Sequence, residues 1–162
     1  MNEVRSFLRP WAGRRVLILG VGSPLKGDDQ AGPELVRRLQ GKTRAHLLDC
    51  GGMPENHGRA VLALKPELIL LVDAAEFGGG PGEVRLLEER DIGSSGLGTH
   101  GLSLRVFLSY LRSEISFQAA LLGIQPKSME FDEPLSPEVE AAVQELEKVL
   151  REELPASGSA SG

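Results

Sequence analysis

Only one cysteine, Cys50, occurs in the 162 residues, so no internal disulfide can form and the chain has the cysteine usage of a reducing compartment. No stretch approaches the roughly 18 apolar residues that a membrane-crossing helix needs. Residues 1–11 lack the apolar centre of a secretory signal, and a cytoplasmic location is expected. Lys and Arg number 18 against 23 Asp and Glu, a formal net charge of −5, and nowhere do they gather into a block. That balance argues against a nucleic-acid footprint, and with no membrane segment the expectation is a monomer that engages neither nucleic acid nor membrane. Catalytic groups are also scarce. There is no Gly-x-Ser-x-Gly elbow, and Cys50 has no recognisable partner beside it. Directly after a strand, it reads better as a small buried thiol than as a nucleophile.

What remains is a chain of one-domain length with 41% hydrophobic residues, enough for a substantial core. Its organising stretch is 15–32. The unbroken run Val16-Leu17-Ile18-Leu19 suits a strand buried on both faces, and it breaks into glycines and then into the adjacent carboxylates Asp28 and Asp29. A phosphate-cradling loop fails on spacing. A dinucleotide fingerprint begun at Gly20 meets Leu25 where glycine is needed, and a P-loop begun at Gly22 meets Asp28 where lysine is needed. Two acids repel a polyanion and attract a cation. They also suit the first turn of the helix expected at 31–40, and the local sequence leaves both readings open.

The rest of the chain alternates strands and helices. Val4, Phe7, Leu8 and Trp11 form an amphipathic set, so residues 1–14 read as an N-terminal extension lying on a single domain at 15–153. Strands are expected at 45–49, at 68–72 and at 117–124, with a loop over 50–56 and a small helix at 57–64. The glycine cluster 78–82 leads to an alternating run at 83–87, read as an edge strand returning antiparallel to the third strand. A glycine- and serine-rich loop at 94–100 opens a helix over 102–112, whose apolar residues are Leu102, Leu104, Val106, Leu108, Tyr110 and Leu111. Ser136-Pro137 starts the clearest helix, with Val139, Ala142, Val143, Leu146, Val149 and Leu150 on one face. Residues 154–162 read as a disordered tail.

Acids close the first three strands: Asp29 just beyond the first, Asp49 at the second and Asp73 at the third. Parallel strands would bring these ends together. Of the three histidines, His46 lies within a strand, His57 begins a helix and His100 stands in a loop entering a helix, with the exposure a ligand needs. Asp29, Asp73 and His100 would offer two hard oxygens and one imidazole nitrogen, a set suited to a first-row divalent ion with open positions. At 44 and 27 residues apart, spacing alone does not establish them as ligands.

Several ordered blocks nevertheless carry a likeness. Leu19-Gly20-Val21-Gly22-Ser23-Pro24-Leu25-Lys26-Gly27-Asp28-Asp29-Gln30-Ala31-Gly32-Pro33 comes first, followed by Asp49-Cys50-Gly51-Gly52-Met53-Pro54-Glu55-Asn56. Val72-Asp73-Ala74, Pro81-Gly82-Glu83, Thr99-His100 and Leu122-Gly123-Ile124-Gln125-Pro126 complete the set. Together, over residues 15–151, they resemble the maturation endopeptidases of nickel-iron hydrogenases, most closely the branch serving the hydrogenase of formate hydrogenlyase. The resemblance implies a three-layer α/β/α fold with a five-stranded mixed, mostly parallel sheet. It implies removal of a C-terminal extension from a hydrogenase large-subunit precursor after nickel insertion, with the nickel carried in by that precursor and other divalent ions able to enter the site in vitro. The family's metal-contacting positions fall on Asp29, Asp73 and His100. Ser23 stands where the family commonly has Asn, and Gln30 where it commonly has Gly. The resemblance names no protein nucleophile. Water at or near the ion is the simplest hydrolytic agent, with Asp28 the candidate for supporting the ligands. The rival reading is a metal- or small-ligand-binding domain that keeps the fold without proteolysis.

Overall fold

The computed structural model describes residues 1–92 and 100–156. The expected loop at 94–100, apart from His100, lies outside the described residues, as does the expected tail beyond Ala156. The start of that tail is ordered instead, because Leu154 is buried in the core with its carbonyl accepting from Thr43 Oγ1, and Pro155 bridges Thr43. Five strands, β1 (Val16–Gly20), β2 (His46–Asp49), β3 (Leu68–Ala74), β4 (Val84–Glu88) and β5 (Gln118–Ile124), form one sheet in the order β2-β1-β3-β5-β4. The first four positions in that order are parallel and β4 is antiparallel. Helices α1 (Asn2–Leu8), α2 (Ala31–Leu39) and α5 (Pro137–Glu153) cover one face, and α3 (Gly58–Leu64) and α4 (Gly101–Arg112) cover the other.

The continuous apolar runs explain this layering. Successive side chains of a strand point to opposite faces. In β1 and β3, Ile18, Leu70 and Val72 therefore pack under α2 and α5, while Leu17, Ile69 and Leu71 pack under α3 and α4. All seven residues of β3 are buried, as a central strand covered on both faces requires. In α5, Ser136 Oγ accepts from the Val139 amide as N-cap, and all six residues of the expected apolar face are buried. Val4 and Leu8 of α1 join the same core, and Pro10 sits in a single 3-10 turn that ends this segment. Another 3-10 turn, Pro54–His57, shortens the loop expected over 50–56.

One pairing differs from the sequence reading. The run at 83–87 does not return beside the third strand; β4 pairs with β5, Leu86 opposite Leu122. The nine residues between Ala74 and Val84 easily cross the roughly 10 Å of two inter-strand spacings. Inserting β5 next to β3 places a strand that is buried from Ala120 to Ile124 in a covered position. The alternating β4 is left at the rim, where its polar side chains reach water.

The chain leaves β1 towards β2 on one side and returns to β3 on the other, so the direction of winding switches between β1 and β3. Such a switch opens a crevice beyond the carboxyl ends of the strands. Gly20 is in register with both Asp49 and Val72, so these ends are level. Among the described residues, no helix is long and apolar enough to cross a membrane.

Candidate metal centre

Asp29 reaches the crevice from the 3-10 turn Gly27–Gln30 that links β1 to α2. The turn can sit this close to the sheet because two glycines leave room. A Cβ on Gly22, at φ +144°, would lie 1.9 Å from the Asp29 carbonyl oxygen, and one on Gly32 would lie 2.3 Å from that of Val72. The Asp29 carboxylate is 3% exposed. Its Oδ2 accepts from the Ser23 amide at 2.8 Å, whereas Oδ1 is buried with no partner.

Asp73 lies near the end of β3 with 0% exposure. Burial, the largest influence, pushes its carboxyl up to about 6; His100 opposes that rise and the charge of Asp29 adds to it. His100 stands at the N-cap position of α4 and is half-buried, and its Nδ1 stands 3.4 Å from both oxygens of Asp73. That contact with Asp73 is the main cause of a raised imidazole pKa, and the charges of Asp29 and Glu55 add to it. Gly52 flanks the other ring nitrogen: a Cβ there would lie 3.8 Å from Nε2.

The three residues singled out in the sequence are thus brought to one place. One ligand atom from each can be chosen so that all lie within 4.8 Å of one another, and no other such His, Cys, Asp and Glu group occurs among the described residues. The donors fit a divalent ion. A buried carboxylate oxygen without a partner is costly, and two buried carboxylates side by side repel unless a cation lies between them. Two donors at about 2.1 Å from a tetrahedral ion are themselves roughly 3.4 Å apart, the spacing found between His100 and Asp73.

The remaining candidates have other surroundings. The Asp28 carboxylate, 1% exposed, turns away to the segment after β5. Its Oδ1 accepts from the Ser136 amide at 2.7 Å, and its Oδ2 accepts from the amides of Lys127 and Ser128 at 2.8 and 3.0 Å and from Ser136 Oγ at 2.9 Å. Asp28 therefore fastens the turn that carries Asp29 to the start of α5. Gln30 adds to this clamp, its Nε2 donating to the carbonyls of Gly27 and Glu133. Asp49 is exposed and caps the Gly51 amide at 2.9 Å. Cys50 is buried, and burial pushes its thiol up to about 12. His46 is exposed on the edge strand β2, and His57 is half-buried in the turn before α3. Gly52 and Ser136 were not singled out as site residues in the sequence; only the glycine pair 51–52 and the N-cap pattern mark them.

The family model described as HycI, hydrogenase maturation protease, matches residues 31–153. The hydrogenase 3 maturation protease of Escherichia coli K12 is 33% identical over 131 residues, 79% of this chain and 83% of that protein. The crystal structure of a [NiFe] hydrogenase maturation protease HycI from Thermococcus kodakarensis KOD1 superposes with a TM-score of 0.82 at 31% identity. That match covers 92% of this chain and 98% of the other. The solution structure of the endopeptidase HycI from Escherichia coli gives 0.77 at 29% identity, covering 91% and 99% of the two chains.

Proposed function

This chain belongs to the hydrogenase maturation protease family, and on that premise we propose what it cuts and how it chooses its moment. It removes the C-terminal extension of a nickel-iron hydrogenase large-subunit precursor after nickel insertion, and the nickel borne by that precursor is its recognition element. The observation that carries this reading is Asp29 Oδ1, a buried carboxylate oxygen with no partner in a cluster whose ligand atoms lie within 4.8 Å of one another.

In this reading Asp29, Asp73 and His100 hold the precursor's nickel. A divalent ion so placed supplies Lewis acidity to a nearby carbonyl or water. The chain's own groups prepare the site. The Ser23 amide fixes Asp29 Oδ2 and leaves Oδ1 free. The β3 backbone seats Asp73 in a dry position, with Nδ1 of His100 3.4 Å from both its oxygens. Asp28 keeps the turn in place from the far side and supports the ligands without joining them. No protein nucleophile is assigned, and Cys50 is unsuited to the role because its thiol is buried and pushed up to about 12. The ligands come from separate segments, so the free enzyme holds metal weakly, and other divalent ions enter the site in vitro. The protein works as a cytoplasmic monomer, with no nucleic-acid or membrane partner.

The test is precursor shortening on gels with nickel-loaded and nickel-free substrate. Cleavage is expected only of the loaded form, and Asp29→Asn, which keeps the side chain's size and removes its charge, abolishes it in a folded protein. Full cleavage of the nickel-free precursor would overturn the reading.

A further inference from the structure

The side of α4 turned away from the sheet carries an apolar stripe beside the exposed polar residues Ser103, Arg105 and Ser109. Leu104, Phe107, Leu108 and Leu111 are buried against the sheet, yet Leu102, Val106 and Tyr110, spaced one turn apart, are 75%, 62% and 47% exposed. The other large hydrophobics left exposed among the described residues, Leu25, Met53 and Phe131, lie on loops following β1, β2 and β5, at the end of the sheet that holds the metal centre. An apolar surface gathered on one side of a site marks a place where another chain lies.

This surface is shaped. Two adjoining hollows of about 380 and 310 Å³ run between α4 and the segment opening α3, and both are bordered by Glu55 and Val106. Leu102 lies in the hollow nearer the start of α4, and Tyr110 in the farther one, its ring so close to Gly58 that a Cβ there would meet it at 2.9 Å. The surface is continuous with the metal centre, since α4 begins directly after His100 and Leu102, two residues further on, lines the nearer hollow.

We infer that this groove holds an extended, apolar segment of the precursor adjoining the bond that is cut. The inference rests on the function proposed above, since a chain presenting its peptide at Asp29, Asp73 and His100 must continue over the neighbouring surface. Leu102 to Tyr110 spans about 12 Å of helix, the length of about four extended residues. Glu55 and Arg59 give the rim both signs of charge, so selection falls to the apolar floor. A second copy of this chain suits the groove less well, because two molecules of net charge −5 repel.

The experiment uses the full chain and the nickel-loaded precursor. Leu102→Glu and Val106→Glu change exposed positions, and circular dichroism and Tm verify their folds. Each is expected to raise KM at least tenfold with kcat within about threefold of the parent. Lys148→Glu, exposed on α5 in the opposite layer, leaves both constants unchanged. A synthetic peptide spanning the cleaved bond and the extension, followed by fluorescence anisotropy with metal-free enzyme, binds the parent and loses at least tenfold in affinity to Val106→Glu. KM values within twofold of the parent for both glutamate variants would overturn the inference. So would a self-association that Val106→Glu abolishes while KM stays unchanged. The underlying reading fails separately: if Asp29→Asn still cleaves while Val106→Glu raises KM, the groove stands and the metal assignment falls.

Discussion

Nδ1 of His100 faces both carboxylate oxygens of Asp73 at the same 3.4 Å, longer than the roughly 2.7 to 2.9 Å of a charge-assisted hydrogen bond. An equal, long approach of this kind leaves the carboxylate poorly compensated for its burial. The metal-free protein therefore carries an electrostatic burden at the place where an ion would relieve it.

Asp73→Asn is accordingly expected to stabilise the metal-free protein while destroying its handling of metal. In the folded chain the Asp73 carboxyl is raised from 3.8 to about 6, so the folded state prefers the protonated acid. Stability is then lost as pH rises from about 4 to about 6. The raised His100 follows the same pH trend, its contribution being present below its ordinary pKa of 6.5 and lost above the raised value, but Asp73 is the main cause of that rise, so the asparagine variant gives this smaller contribution up. At pH 7 the asparagine variant gains about 1–3 kcal/mol, a rise of several degrees in Tm. A lower Tm than the parent at pH 7, measured by calorimetry in chelator, would contradict this account.

Asp28→Ala removes an acceptor that serves three backbone amides and one hydroxyl. Leaving buried donors without partners costs about 1–3 kcal/mol for each group that water cannot reach. A global loss of about 2–5 kcal/mol is expected. The loss should appear first as faster amide exchange at Lys127, Ser128 and Ser136, with the amides of β3 still protected. Uniform acceleration over the whole sheet would mean that the clamp is not local.

Much of this design is legible in the chain and some is not. Strands β1, β3 and β5 announce themselves because a strand covered on both faces needs an unbroken apolar run, and α5 does so through its N-cap and single apolar face. The grouping of Asp29 with Asp73 follows from parallel strands ending together. The contacts of Asp28 are not legible, since its partners lie 99 to 108 residues away in sequence. Nor is the neighbour of β4, because a nine-residue connection permits either placement. Helix α4 has apolar residues on more than one side, and periodicity alone does not tell which side the sheet covers.

Cys50 is expected to be inert. With the thiol pushed up to about 12, only about one molecule in ten thousand is thiolate at pH 8. Iodoacetamide at pH 8 should modify the folded protein far more slowly than the denatured one, and Cys50→Ala should process precursor at close to the parent rate. Loss of processing in a folded Cys50→Ala protein would reinstate a thiol mechanism.

Ile69→Ala probes the core on the α4 side. Ile69 is fully buried on the central strand, and truncation there should cost about 2–5 kcal/mol in denaturant unfolding. A loss below about 1 kcal/mol would place the side chain at a margin that collapses easily.

The neighbours Asp28 and Asp29 share one 3-10 turn, where successive side chains diverge by about a third of a revolution. One carboxylate is saturated by the protein and the other keeps a vacant oxygen. Their identity as aspartates is the same; only phase distinguishes them. Inserting or deleting one residue between Gly22 and Asp28 would rotate the pair out of step, turning the saturated group outward and forcing the vacant one against the donors of Lys127, Ser128 and Ser136. The loop is therefore tuned in length more strictly than in composition, and exchanges such as those at Ser23 and Gln30 can be absorbed where a change in residue count cannot.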